Sequence, residues 1–179
     1  SGFRRFAGDM QGATKLLERA RQLDPLALDV SRAFVNLYMD SREYDKALVE
    51  ARRMQELSPG APTAYWSEAR IEQERGDFYR AMRATEKARQ IDPDDHEFPS
   101  ALAWIYLAMG DSERAAPLVE EAIAMAPEAP STYVSRMRLA MAREQQVEAL
   151  AIAREVLDKG IENRSGAQFW AGYLVAADA

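Results

Sequence analysis

The chain has 179 residues, of which 29% are charged and 47% hydrophobic, and its formal net charge is −6. That balance suits a folded protein and carries no compositional sign of disorder, and the negative charge argues weakly against a nucleic-acid backbone as the main partner. Cysteine is absent, which excludes disulfides and thiolate chemistry and leaves the compartment open, with the cytoplasm slightly favoured. No apolar run approaches the ~18 residues of a membrane-spanning helix, and no secretory signal is visible. Ser1-Gly2 reads as a cloning remnant in place of the native start.

Three residue series recur with one period. Pro25, Pro59, Pro93 and Pro127 lie 34 residues apart, each closing a helical pattern. Gly8-Asp9, Arg42-Glu43, Gly76-Asp77, Gly110-Asp111 and Glu144-Gln145 keep the same spacing, and so do Ala13, Ala47, Ala81, Ala115 and Ala149. A glycine ends a helix by taking a positive φ at little cost, and the aspartate after it suits the N-cap of the next. An alanine at fixed phase marks close helix–helix approach, where a larger side chain would overpack.

Together with Tyr38 and Tyr106 late in the first helix of a unit, Tyr65 and Tyr133 early in it, and Tyr44 and Phe78 opening the second, these series resemble the tetratricopeptide repeat, a helix–turn–helix unit of 34 residues. The resemblance covers nearly the whole chain. It implies an all-α, right-handed superhelical solenoid of antiparallel helix pairs, about ten helices, with the first helix of each pair lining a concave groove.

In chain order, the resemblance places a half repeat over 3–27, full repeats over 28–61, 62–95, 96–129 and 130–163, and a lone first-type helix over 164–177, all in one array. Lys159-Gly160 is a C-cap where the other repeats use proline. Pro99 falls in the first turn of its helix, where its missing N–H has no intrahelical acceptor. Pro117 lies deeper and is expected to remove one hydrogen bond and kink its helix. The incomplete end repeats should expose apolar residues, Met10, Leu16 and Leu17 at one end and Trp170, Tyr173 and Leu174 at the other. The chain is therefore read as a fragment of a longer array, with end-to-end self-association as the alternative.

Catalytic signals are thin. His96, the only histidine, sits among Asp92, Asp94, Asp95 and Glu97, without the glycine-centred pattern of a calcium loop or the helical histidine spacing of a zinc site. Acidic residues are also what helix N-termini favour. No nucleophile elbow or phosphate-cradling loop is present. Glu68 and Glu72, one helical turn apart where the family buries apolar residues, could form a carboxylate pair. The plainer reading is a slight helix rotation, or pairing with Arg52 or Arg53. No enzyme activity, cofactor or metal is expected.

Residues spaced i, i+3/i+4 and i+7 share a helix face. By phase, the groove face carries Asp29, Arg32, Asn36 and Met39, then Thr63, Trp66, Arg70 and Gln73, then Glu97, Ser100, Trp104 and Leu107, then Ser131, Val134, Arg138 and Met141. Tryptophan and arginine are the types enriched at binding hot spots. Arginine forks onto carboxylates, tryptophan offers a flat apolar wall, and methionine adapts its shape.

The expected function is a non-catalytic scaffold that binds a peptide or protein segment with acidic and apolar side chains through Arg32, Asn36, Trp66, Arg70, Trp104, Leu107, Val134, Arg138 and Met141. The alternatives are interhelix packing by Trp66 and Trp104, and a structural or oligomerisation segment of a larger protein. Some family members clamp a C-terminal carboxylate. Arg32 and Asn36 fit that pattern, but Ser67, Glu97 and Ala101 do not, and Glu97 would repel the ligand there.

Overall fold

A computed structural model describes residues 10–161, 171–172 and 175–176. Among them the chain is helix and turn throughout: α1 Met10–Leu23, α2 Leu28–Asp40, α3 Tyr44–Leu57, α4 Pro62–Arg75, α5 Phe78–Ile91, α6 Glu97–Ala108, α7 Ser112–Met125, α8 Pro130–Ala142 and α9 Gln146–Asp158. Residues 171–172 and 175–176 are also helical, within the span expected for a terminal helix. The expected helical residues 3–7, like Trp170, Tyr173 and Leu174, lie outside the described residues.

The period is built into the helix starts. Met10, Tyr44, Phe78, Ser112 and Gln146, which open α1, α3, α5, α7 and α9, are 34 residues apart. Four of those helices end two residues before a proline of the series. Pro93, for example, forces the chain out of helix after Ile91.

The other turn of each unit closes by one geometry. Gly76 and Gly110 take φ of 80° and 79°. Their N–H groups donate to Gln73 O and Leu107 O, while the next N–H reaches five residues back, from Asp77 to Glu72 O and from Asp111 to Tyr106 O. This is the paired-bond helix stop that satisfies the last carbonyls. Asp77 and Asp111 then cap α5 and α7, their Oδ1 atoms accepting from the N–H of Arg80 and Arg114 at 3.1 Å and 3.0 Å. Gly160, at φ 60°, stops α9 with the same bonds.

The chain divides into two compact units, Ser1–Asp92 and Pro93–Ala179. In the first, α2 packs on α3 and α4 on α5, while α3 and α2 also pack on α4. Val35, Ala47, Leu48, Ala51, Met54, Ala64 and Ile71 form its main core. Phe34 and Leu37 pack with Ala13 of α1 in a second cluster. Arg21 of α1 lies 4.2 Å over the Phe34 ring and donates to the buried carboxylate of Glu50 on α3 at 2.7 Å, tying three helices together.

In the second unit α6 packs on α7 and α8 on α9, with α8 also against α6 and α7. Ala103, Ala115, Val119 and Leu139 make one cluster. Tyr133, Val134, Met137, Ile152, Ala153, Val156 and Ala171 make another, joined by Ile161 and Val175. Ala13, Ala47, Ala81, Ala115 and Ala149 are all buried, as close helix approach requires. Pro99 lies in the first turn of α6, and α7 runs through Pro117 as one helix.

Candidate functional face of the first helices

Residues 34 apart become neighbours wherever adjacent first helices pack, and two contacts in the second unit show this. The Ser131 hydroxyl of α8 donates to Glu97 Oε1 of α6 at 3.1 Å. The Arg138 guanidinium lies 5.6 Å from the Trp104 ring centroid. In the second unit, α6 and α8 therefore set residues of one phase side by side in columns.

Within the second unit the columns differ in character. At the N-terminal ends of α6 and α8 stand Glu97 and Ser131, with His96 Nε2 3.5 Å from a Glu97 oxygen. About 10 Å along the axis, at ~1.5 Å per residue, comes the Trp104–Arg138 pair. Both side chains are half-buried. Burial pulls the Arg138 guanidinium below its ordinary value, the mark of a charge held partly away from water. It remains a cation, since arginine does not deprotonate in proteins. Leu107 and Met141 follow; Leu107 packs on the Ala103 cluster, while Met141 is 41% exposed.

Val134 stands apart from this group. It is only 9% exposed and belongs to the core with Met137 and Ile152. The face offers a ligand little of its side chain.

In the first unit Arg32 is exposed and donates to Asp29 Oδ1 at 2.7 Å. Asn36 and Trp66 are half-buried, and Arg70 is exposed. This stretch is more polar than its counterpart in the second unit. Arg32 already has a carboxylate partner one turn away, so a ligand acid would have to compete with Asp29.

The carboxylates singled out by the sequence take partners other than those expected. Glu68 Oε2 accepts from Gln55 Nε2 at 2.6 Å. Glu72 is buried, with Arg75 Nε and Arg80 Nη1 each 3.7 Å from its oxygens. Arg52 and Arg53 therefore do not supply the pairing; Arg53 donates instead to the carbonyl of Pro25 at 2.8 Å. The acidic run before α6 serves the helix start, where Asp95 Oδ1 accepts from the N–H of Glu97 at 2.9 Å.

Two features escaped sequence reading. One is the Arg21–Glu50 tie, which joins residues 29 apart and leaves no local pattern. The other joins α8 to α9: the Tyr133 hydroxyl donates to Glu155 Oε1 at 2.9 Å, and Lys159 donates to Tyr133 and Glu128 at 3.1 Å and 3.2 Å. The four-residue spacing of Glu155 and Lys159 was a readable signal.

Helix pairs stacked at a fixed 34-residue period, with recurring columns on the first helices, define a helical-repeat protein of the interaction-scaffold class. Tetratricopeptide-repeat models match residues 32–96 and 72–133, and the chain belongs to that family. No curated protein matches the chain.

Solved structures agree on the fold. MamA is 20% identical, with a TM-score of 0.68 over 88% of this chain and 92% of its own. YrrB, described as a repeat protein of this family with an unusual peptide-binding site, is 18% identical, with a TM-score of 0.62 over 90% of this chain and 83% of its own. A thermophilic repeat protein of the family from Thermus thermophilus is 17% identical, with a TM-score of 0.72 over 98% of this chain and 95% of its own.

Proposed function

We propose that the chain is a non-catalytic scaffold whose first-helix face binds an extended protein or peptide segment with apolar and acidic side chains. The family fold supports a protein-interaction scaffold. The observation that carries the finer reading is the half-buried Arg138 guanidinium against Trp104, with Leu107 and Met141 one turn further on. A desolvated cation on an aromatic wall holds its charge in place, and a carboxylate arriving there gains a charge-assisted hydrogen bond in a partly dry setting. Met141 and the Trp104 ring supply apolar contact that can adjust to the ligand.

Within this proposal Trp104, Arg138, Leu107 and Met141 form the stronger patch, in the second unit, and Arg32, Asn36, Trp66 and Arg70 form a separate, more polar one in the first. Val134, buried in the core, contributes little to the stronger patch. The peptide-binding site named for YrrB is a precedent for the fold, and it transfers no residue.

The reading is tested with peptides selected from a random display library against the purified protein. Selected sequences should combine an acidic residue with apolar ones. Trp104→Ala and Arg138→Glu together should weaken them at least ~10-fold, the scale of a lost hot-spot residue. Unchanged binding by a double variant of native helix content would remove the face from consideration.

A further inference from the structure

The helix α4 has a second polar face, and it leads to a different site. At ~100° per residue, Tyr65, Glu68 and Glu72 lie on the side of α4 away from Trp66 and Arg70. With α3 and α5 they enclose a cleft of about 580 Å3 in the first unit. Its lining is mostly charged. Arg52 comes from α3, and Arg83 and Lys87, one turn apart, from α5; all three are exposed. Where an apolar repeat would close this space with packed side chains, Glu68 and the charged rim keep it open and wettable above the buried Glu72.

The floor is chemically unfinished. Glu72 is 1% exposed, and its Oε2 atom accepts no hydrogen bond. Its two arginine neighbours remain 3.7 Å away, beyond hydrogen-bond length. Arg80 also faces Asp77 at 3.3 Å. A buried carboxylate oxygen without a donor is costly, and a ligand donor that reaches it recovers that cost. The rim is mainly basic, lined by Arg52, Arg83 and Lys87 together with the carboxylate of Glu86.

We propose that this cleft binds a peptide segment carrying a lysine or arginine beside an acidic residue. The cation enters toward Glu72 and Glu68, against the Tyr65 ring. The neighbouring carboxylate is held by Arg83 and Lys87, with Arg52 across the cleft. A purely anionic ligand would meet Glu68 and Glu72 on the floor, and a purely cationic one would meet the basic rim. Only a segment with both charges satisfies both layers.

The test uses the full chain and three blocked peptides, acetyl-Glu-Lys-Glu-amide, acetyl-Glu-Gln-Glu-amide and acetyl-Gln-Lys-Gln-amide, followed by amide chemical shifts. The first should shift signals of Tyr65 and Ala84 and bind at least ~10-fold more tightly than the other two, about the effect of one charge-assisted hydrogen bond. Glu72→Gln, which keeps the side-chain shape, should lower that affinity ~10-fold, and Arg83→Gln with Lys87→Gln should do the same. Amide signals of Trp104 and Arg138 should stay unmoved by the first peptide, which separates this site from the first-helix face whatever the outcome there. Equal binding of all three peptides overturns the proposal, as does an unaffected Glu72→Gln variant or an absence of shifts at Tyr65 and Ala84.

Discussion

Arg42 and Glu144 stand where the repeat elsewhere places glycine, and both take φ of 59°. The left-handed region costs a side-chain-bearing residue about 1–2 kcal/mol. Their backbone bonds match those of Gly76 and Gly110: Arg42 and Glu43 donate to Met39 O and Tyr38 O, Glu144 and Gln145 to Met141 O and Ala140 O. The repeat imposes the turn, and the residue tolerates it. Arg42→Gly and Glu144→Gly are each expected to raise stability by about 1 kcal/mol, less a few tenths for the freer unfolded chain. A higher urea midpoint at constant slope would show this. Gly76→Ala should lose about 1 kcal/mol; a Cβ there meets nothing within 4 Å, so the loss would be backbone strain alone. The strain was legible in the sequence, because Arg42 and Glu144 share the phase of Gly76 and Gly110. The orphan oxygen of Glu72 was not, because it depends on where Arg75 and Arg80 stop short.

Between elements, polar ties add to a core of small residues. The Arg21–Glu50 pair is the more buried case, with side-chain exposures of 30% and 8%. Glu50→Ala leaves Arg21 without its carboxylate, and Arg21→Met leaves the buried Glu50 charge alone. The second should be worse, at about 2–3 kcal/mol, near the lower end for breaking a buried pair. Thermal unfolding of both variants would check the order.

The α8–α9 tie makes a pH prediction. The Glu155 carboxyl is held below its ordinary value of 4.5, chiefly by the hydrogen bond from Lys159 and then that from Tyr133. A carboxyl depressed in the folded state stabilises above its unfolded value, and that contribution disappears as pH falls through the folded one. The Lys159 ammonium is held above its ordinary 10.5, first by Tyr133 and then by Glu155 and Glu128. Its contribution is complete below the unfolded value and fades only at strongly alkaline pH. The stability gap between wild type and Tyr133→Phe should therefore narrow from about pH 6 to about pH 3. A gap independent of pH across that interval would show that Glu155 is not linked to Tyr133.

The turns were readable in the sequence, because prolines of the series follow four of the helices and Gly76-Asp77 and Gly110-Asp111 mark turns inside the units. The burial of Val134 was less readable. Its position is on the groove phase, yet it packs with Met137 and Ile152 in the second core. A helix face broadens into the core at its edges, and sequence phase alone does not say where exposure ends.

At the scale of the whole molecule, each of the two units has two hydrophobic clusters of its own among the described residues. Those of Ser1–Asp92 draw on α1 to α4, and those of Pro93–Ala179 on α6 to α9 and the helical residues beyond. Repeat arrays take their stability from neighbour contacts, and these clusters are contacts of that kind. The two segments produced separately should each show a helical circular dichroism spectrum and a cooperative thermal transition. A non-cooperative melt in either would mean that its clusters depend on the other segment.

The columns of the first-helix face carry a further consequence. Trp104 and Arg138 meet because the chain between them is one repeat long, so their contact depends on a count of residues as well as on identity. Deleting one residue from the middle of α6 would preserve its helical propensity while turning the rest of the helix by ~100°. Trp104 would leave Arg138, and Tyr106 and Leu107 would lose their places against Val119 and Leu139. The molecule should thus accept many substitutions on this face but few changes of length inside a helix. The residues of this face can drift by point mutation, while the architecture can change only by whole units.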